Sequence, residues 1–414
     1  MALSSTSLLR RRSLVALLAA EVVSMTGSQM TWLALPWFVL VTSGSPTRMS
    51  FVVGAELIGL AFLGLPGGRL LGRFGARRTM LLCDGARAPL MALIPVLHWS
   101  GALTFGGLLA ASFALGALST PYFAAQKVIV PELLGENESL VSRASALFQA
   151  AQRVTLLLGP VTAGVLIGII SAPAVLLVDA ASYAIAFVLV LLFVPRLEPL
   201  AQGDQERGIL AGLRFLVKEP LLRVWTPLFA IGDTAWTAFF LSVPVLVVAR
   251  FGANPRIAGW LLASFGIGAL VGNAIAYRYL LDRARGLSVI AACVLGQALP
   301  LWFLVPTLPA AAYSAALVAS GIANGLVNPS IHALKTLRIP PALRPTAMTA
   351  LAMVWGLVNP IGVFAVGPIL DAFGTRPVLI AFAGLQTVCM LGIVVASLRA
   401  RDADVAAVAA AGRA

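Results

Sequence analysis

The sequence predicts an all-α integral membrane fold, with twelve transmembrane helices arranged as two related six-helix halves. Three observations carry this expectation. First, 60% of the 414 residues are hydrophobic and only 11% are charged, with a mean hydropathy of +0.96, so most of the surface must face lipid. Second, apolar runs recur at roughly 20 residues, the length that crosses a hydrocarbon core about 30 Å thick at about 1.5 Å per residue. They lack the period-2 alternation of a lipid-embedded barrel, so helices are left as the structures that satisfy their own backbone. Third, landmarks repeat at a nearly constant offset. Pro121 and Pro329 lie 208 residues apart, Gly159-Pro160 and Gly367-Pro368 again 208, and Arg73 and Arg283 lie 210 apart.

The spans are expected at 14–42, 49–71, 79–98, 102–124, 141–169 and 173–194 in the first half. In the second they are expected at 222–249, 257–280, 286–306, 310–333, 345–370 and 376–398. The one long polar stretch, 195–221, divides them into a first half, 1–194, and a second, 222–398, followed by a tail, 399–414. Within that linker, Gly208–Val217 reads as an amphipathic helix on the membrane surface.

Of the 29 lysines and arginines, 23 fall on the side that holds both termini and the linker, four on the other side and two inside helices. By the positive-inside rule both termini are cytoplasmic, in a cell (inner) membrane. The net charge of +13 is thus a topology signal, and no nucleic acid partner is expected. Cys83, Cys293 and Cys389 sit singly in apolar runs, so neither a disulfide framework nor a metal site is expected. No Gly-x-x-x-x-Gly-Lys-Ser/Thr phosphate loop and no nucleophile–His–acid set occurs, so no catalytic residue is assigned. The first apolar segment follows Arg10–Arg12 as a signal peptide would, but it continues past Trp32 and Trp37 without a cleavage site and reads as retained.

After the second span comes Gly68-Arg69-Leu70-Leu71-Gly72-Arg73-Phe74-Gly75-Ala76-Arg77-Arg78. It resembles the Gly-x-Leu-x-Asp-Arg-x-Gly-Arg-Arg signature of the major facilitator superfamily, with Gly72 where an Asp is expected, while the second half keeps Asp282-Arg283. Cys83–Ala88, Val130–Leu133, Leu158–Gly164, Val178–Tyr183 and Gly212–Leu216 leading into Pro220–Arg223 are similar to the branch holding the enterobactin exporter and the macrolide-efflux proteins. The resemblance spans roughly 14–398. It implies proton-coupled efflux of a drug-like or siderophore-like organic compound by alternating access. It implies a small-molecule substrate, a monomer in the lipid bilayer, and no cofactor beyond the proton gradient. An importer of a small metabolite and a non-transporting membrane sensor remain open as alternatives. The resemblance also implies gating roles for Gly68, Arg73, Gly75, Arg77, Arg78, Asp282 and Arg283, whose cations would latch onto carboxylates and helix C-termini. Gly159-Pro160 resembles an antiporter motif, a hinge and close helix contact.

Five carboxylates (Glu21, Glu56, Asp84, Asp179, Asp233) and two arginines (Arg87, Arg153) lie inside expected spans. Each costs at least about 2.5–3.5 kcal/mol at mid-bilayer and needs a partner or a function. Glu21 shares a helix face with Ser24, Ser28 and Trp32, a stripe suited to line a cavity, carry a proton and meet a cationic substrate. Asp233, with Trp236, Phe240 and Pro244, forms a second such stripe, and Glu56 is a third candidate for proton coupling. Asp84 and Arg87, three apart, read as an internal ion pair with a secondary part in gating. Arg153 is expected to pair with Glu21 or Glu56, or to bind an anionic substrate. Asn324, Asn328, Trp355 and Asn359 are candidates to bond substrate or neighbouring helices, and Asp179 reads as structural.

Overall fold

A computed structural model describes residues 12–63, 70–135, 138–196, 209–280, 287–340 and 343–411. Thirteen helices are α1 (Arg12–Ser43), α2 (Pro46–Phe62), α3 (Ala76–Trp99), α4 (Phe105–Leu134), α5 (Glu138–Ile170), α6 (Ala172–Phe193), α7 (Ile209–Lys218), α8 (Pro220–Arg250), α9 (Pro255–Ile275), α10 (Leu287–Ala298), α11 (Ala310–Arg338), α12 (Arg344–Phe373) and α13 (Thr375–Ala411). A short helical turn also covers 70–74. Ten described helices are long and apolar enough to cross a membrane, and the protein is a multi-pass, all-α membrane protein.

Each expected span has a helix, and two are shorter than expected. In the span expected at 49–71, α2 closes at Phe62 with Leu63 as its cap, and helical backbone is described again at 70–74. The span expected at 286–306 is α-helical only to Ala298 and then tightens into a 3₁₀ helix over Leu299–Leu304. Pro300 is the cause: it has no N–H to donate, and its ring clashes with the carbonyl four residues back. At the chain's other end α13 runs on through 399–411 to Ala411. Local chemistry sets several starts. Ser45 accepts from Arg48 N at 3.3 Å, Thr104 from Gly107 N at 3.1 Å, and Glu219 from Leu222 N at 2.5 Å.

The chain separates into two compact units. One holds residues through Gly203 together with Gly252–Gly259; the other holds Asp204–Phe251 and Trp260 onward. In the first, α1 packs on α6 and α5, α2 on α4, and α3 on α6 and α4. In the second, α8 packs against α12 and α13, and α10 against α11 and α13. Helix α7 docks on α12, where Gly212 meets the backbone of Thr346 and Ala347, and Leu216 is buried with Leu222, Ile339 and Ala347. This part of the linker is therefore built into the second unit.

Close helix pairs rest on glycines that recur with the repeat. On α2 and α4, Gly59 faces the Phe113 carbonyl and Gly116 the Glu56 carbonyl. On α9 and α11, Gly268 faces the Val318 carbonyl and Gly325 the Ala269 carbonyl, each 209 residues after its counterpart. Without a hydrophobic drive between helices in lipid, such backbone approach is what holds the pair. Gly268→Ala should lower the thermal unfolding temperature, because its Cβ must displace backbone, an overpacking cost of about 1–3 kcal/mol. Gly384→Ala, in open space, should raise it through helix propensity, by up to about 1 kcal/mol. Detergent-solubilised melting curves read the opposite signs.

Candidate functional site

The first unit encloses a polar cluster between α1, α3, α4 and α6. Arg87 (2% exposed) and Asp84 (0%) form an ion pair at 2.6 Å, as the spacing implies. The guanidinium lies between two rings, 4.3 Å from the Tyr122 centroid and 4.3 Å from that of Tyr183. Its Nη1 reaches Ser119 at a long 3.5 Å. Neither Asp84 Oδ2 nor Arg87 Nε has a hydrogen-bond partner among the described residues.

Both tyrosines link this cation to α1. Tyr122 Oη donates to Glu21 Oε2 at 3.4 Å, and Gln126 Nε2 donates to Glu21 Oε1. Ser119, Tyr122 and Gln126 fall at i, i+3 and i+7, one face of α4. Tyr183 Oη shares a 2.9 Å hydrogen bond with Ser28 Oγ. Asp179 (0% exposed) accepts from Thr31 at 2.5 Å, and the Ser182 hydroxyl divides its one proton between the Asp179 carbonyl oxygen at 2.7 Å and the second carboxylate oxygen at 3.1 Å. Glu56 is half-buried on α2, with Asp179 and Arg87 as the charges nearest in effect.

The expected stripe on α1 thus splits by depth. Glu21 and Ser24 are buried at 1% and 2%, Ser28 is half-buried and Trp32 is 51% exposed. Arg153 does not pair with Glu21 or Glu56; it is exposed, while the preceding residue, Gln152, faces Glu21. One residue is a step of about 100° around a helix, enough to exchange the inward position. The cation of the cluster is Arg87. Tyr122, Gln126, Tyr183 and Thr31 are additions that the sequence reading missed. Their signal was a run of hydrogen-bonding side chains on the inner faces of α1, α4 and α6.

In the second unit, Asp233 opens into a cavity of about 220 Å³ between α8, α11 and α12, shared with His332, Lys335 and Trp355. Lys335 was counted among the loop cations, but it lies in α11, with Nζ 3.7 Å from the Phe229 ring centroid. Trp236 leaves the Asp233 face for a buried aromatic cluster, its ring 4.3 Å from Phe265, 5.0 Å from Phe382 and 5.4 Å from Phe240. Asn328 donates to Asn324 at 3.3 Å, and Asn324 to Gln297 at 3.2 Å, which joins α11 to α10. Asn359 is 2% exposed, its Oδ1 without a partner among the described residues.

Of the loop signature, Gly68, Asp282 and Arg283 lie outside the described residues. Gly75 takes φ +75°, left-handed backbone that lets the 70–74 turn run into α3. Arg77 donates from Nε to Val194 O at 2.7 Å and from Nη2 to Leu191 O at 2.9 Å, closing the C-terminus of α6. Arg77→Ala should cost about 1 kcal/mol of thermal stability, and Arg77→Lys less; melting curves test the order. Arg73 and Arg78 are exposed, and Gly72 has open space around its Cβ position. Gly159 packs on Gln29, bringing α5 against α1, beside Pro160 in the same helix.

The sequence profile of the Major Facilitator Superfamily matches residues 17–363 and 228–413. The multidrug efflux pump Tap of Mycolicibacterium fortuitum is 27% identical over 418 residues, covering 96% of this chain and 98% of its own. Tap of Mycobacterium tuberculosis (strain ATCC 25618 / H37Rv) is 27% identical over 412 residues, 94% of each chain. The solved nucleoside transporter NupG superposes with a TM-score of 0.73 at 14% identity, over 93% of this chain and 98% of that one. A D-xylose-proton symporter does so at 0.69 and 13%, over 92% and 96%. At such identities the structures speak for the fold. The profile covers nearly the whole sequence, so the chain belongs to the major facilitator superfamily of transporters.

Proposed function

We propose that the chain is a proton-coupled exporter of drug-like organic compounds, working by alternating access of its two halves across the cell (inner) membrane with both termini cytoplasmic. The observation that carries this is the charge balance inside the first unit. Among the described residues, four carboxylates, Glu21, Glu56, Asp84 and Asp179, answer to one buried cation, Arg87. A low-dielectric interior disfavours that many uncompensated anions, which makes the excess carboxylates the proton-carrying groups of this reading.

Glu21 is the member placed to exchange its proton. Asp84 is engaged by Arg87, and Asp179 by the Thr31 hydroxyl. Glu21 is instead joined to neutral partners, and through Tyr122 to the guanidinium. Gain or loss of its proton changes the field on Arg87, and thereby the bonds from Tyr122 and Gln126 that join α4 to α1. Export as the direction is supported by the full-length likeness to Tap pumps. The proton gradient is the only driving element required, the substrate is a small molecule, and a monomer is sufficient.

Inside-out vesicles with an imposed proton gradient test the reading. Macrolides, phenicols, dyes and catecholate siderophores are added in turn, and the gradient is followed by a pH-sensitive dye. Collapse of the gradient by one class, only where the protein is present, is the expected result. Accumulation of labelled compounds without any gradient would instead mark a facilitator or importer.

A further inference from the structure

We infer that the cavity beside Asp233 is a binding site for zwitterionic compounds, with Asp233 taking the cationic group, Lys335 the anionic group, and Phe229 and Trp355 the apolar body beside them. The inference rests on the transport reading only in supposing that small molecules reach this cavity.

Opposite charges on neighbouring helices ordinarily close into an ion pair that neutralises both. Here they do not: among the described residues no direct ion pair joins Asp233 and Lys335, although each lies in the other's field. Lys335 is drawn onto the Phe229 ring at 3.7 Å. Trp355 stands beside Asp233 as a neutral donor. The two charges thus border one cavity of about 220 Å³ without closing on each other, and the cavity has room for an indole-sized body. A ligand with a single charge satisfies one wall and leaves the other unpaired, whereas a ligand with both satisfies both.

The surroundings keep Lys335 in place. One turn on, Arg338 pairs with Glu219 at 3.1 Å, and Glu219 also caps α8. Arg344 donates to the Thr336 and Ile339 carbonyls, at 3.1 Å each, fixing the end of α11 against the start of α12. The cation's backbone is therefore braced from two sides, and only its side chain has freedom to meet a ligand. Aromatic faces beside both charges add cation–π attraction for an ammonium group and stacking for a ring.

The test is equilibrium dialysis of the full-length protein in lipid nanodiscs against three tritiated probes at pH 7: tryptophan (zwitterion), tryptophanamide (cation) and N-acetyltryptophan (anion). Tryptophan should bind roughly tenfold more tightly than either relative. Lys335→Gln should bring tryptophan down to the level of the amide, and Asp233→Asn down to the level of the N-acetyl compound. The exchanged double variant, Asp233→Lys with Lys335→Asp, should recover the preference. Equal binding of the three probes, no binding of tryptophan at millimolar concentration, or a zwitterion preference that survives both single substitutions would overturn the inference. Gradient collapse in vesicles reads the transport proposal separately, so either idea can fail while the other stands.

Discussion

Arg87→Leu should cause the largest loss of folded protein of any single substitution in the first unit. Among the described residues the guanidinium is the sole cation within bonding distance of Asp84, which is itself fully buried. Removing one partner of a buried pair leaves an uncompensated charge, a penalty of about 3–5 kcal/mol. Two ring contacts vanish as well, with Tyr122 and Tyr183, each about 0.5–2 kcal/mol. Against a total stability of about 5–15 kcal/mol for a typical fold, that is a large share. Arg87→Lys should fall between, since an ammonium keeps the charge but cannot present two flat faces to two rings. Asp84→Asn combined with Arg87→Leu should recover part of the loss, because both charges leave together. Fluorescence-detected size exclusion after heating ranks the four proteins. A single leucine variant that melts with the parent would mean that the cluster does not hold the unit together.

The legibility of this molecule in its sequence follows the range of the interactions involved. Hydropathy reports on each helix separately, so the spans could be placed without knowing their neighbours. Where the reading slipped, the helix changed type within a span, as at Pro300 in the ninth. Asp84 and Arg87 were legible for the same reason: their pairing is a matter of one helix turn. Glu21 was legible as a buried charge but its partners were not. Tyr122 and Gln126 lie 101 and 105 residues away, and neutral polar side chains look like ordinary packing until the helices are assembled. Arg153 and Gln152 show the limit of angular resolution, since both are polar and the wrong one was turned inward. Lys335 shows the other limit. Near a helix end it counts as a loop cation under the positive-inside rule, and only the folded unit brings it to Asp233.

Glu21→Gln should separate proton movement from substrate movement. Glutamine matches glutamate in shape and keeps an oxygen to accept from Tyr122 or Gln126, so the variant should fold within about 1 kcal/mol of the parent. What it lacks is the ability to gain and lose a proton. In inside-out vesicles, substrate-driven collapse of the gradient should fall to the background rate, while exchange of labelled for unlabelled substrate across the membrane without a gradient should persist. That pattern is specific to a coupling group. A residue needed only for packing would lose both activities together with thermal stability, and one needed only to hold substrate would lose both at unchanged stability. Glu56→Gln supplies the internal comparison: it removes a carboxylate from the same field without touching the Tyr122 connection to Arg87, and should leave coupling largely intact. If instead Glu21→Gln exports at the full rate under a pH gradient and Glu56→Gln does not, the proton enters through α2. The coupling path would then run by way of Asp179 and Tyr183, the other tyrosine against the Arg87 guanidinium.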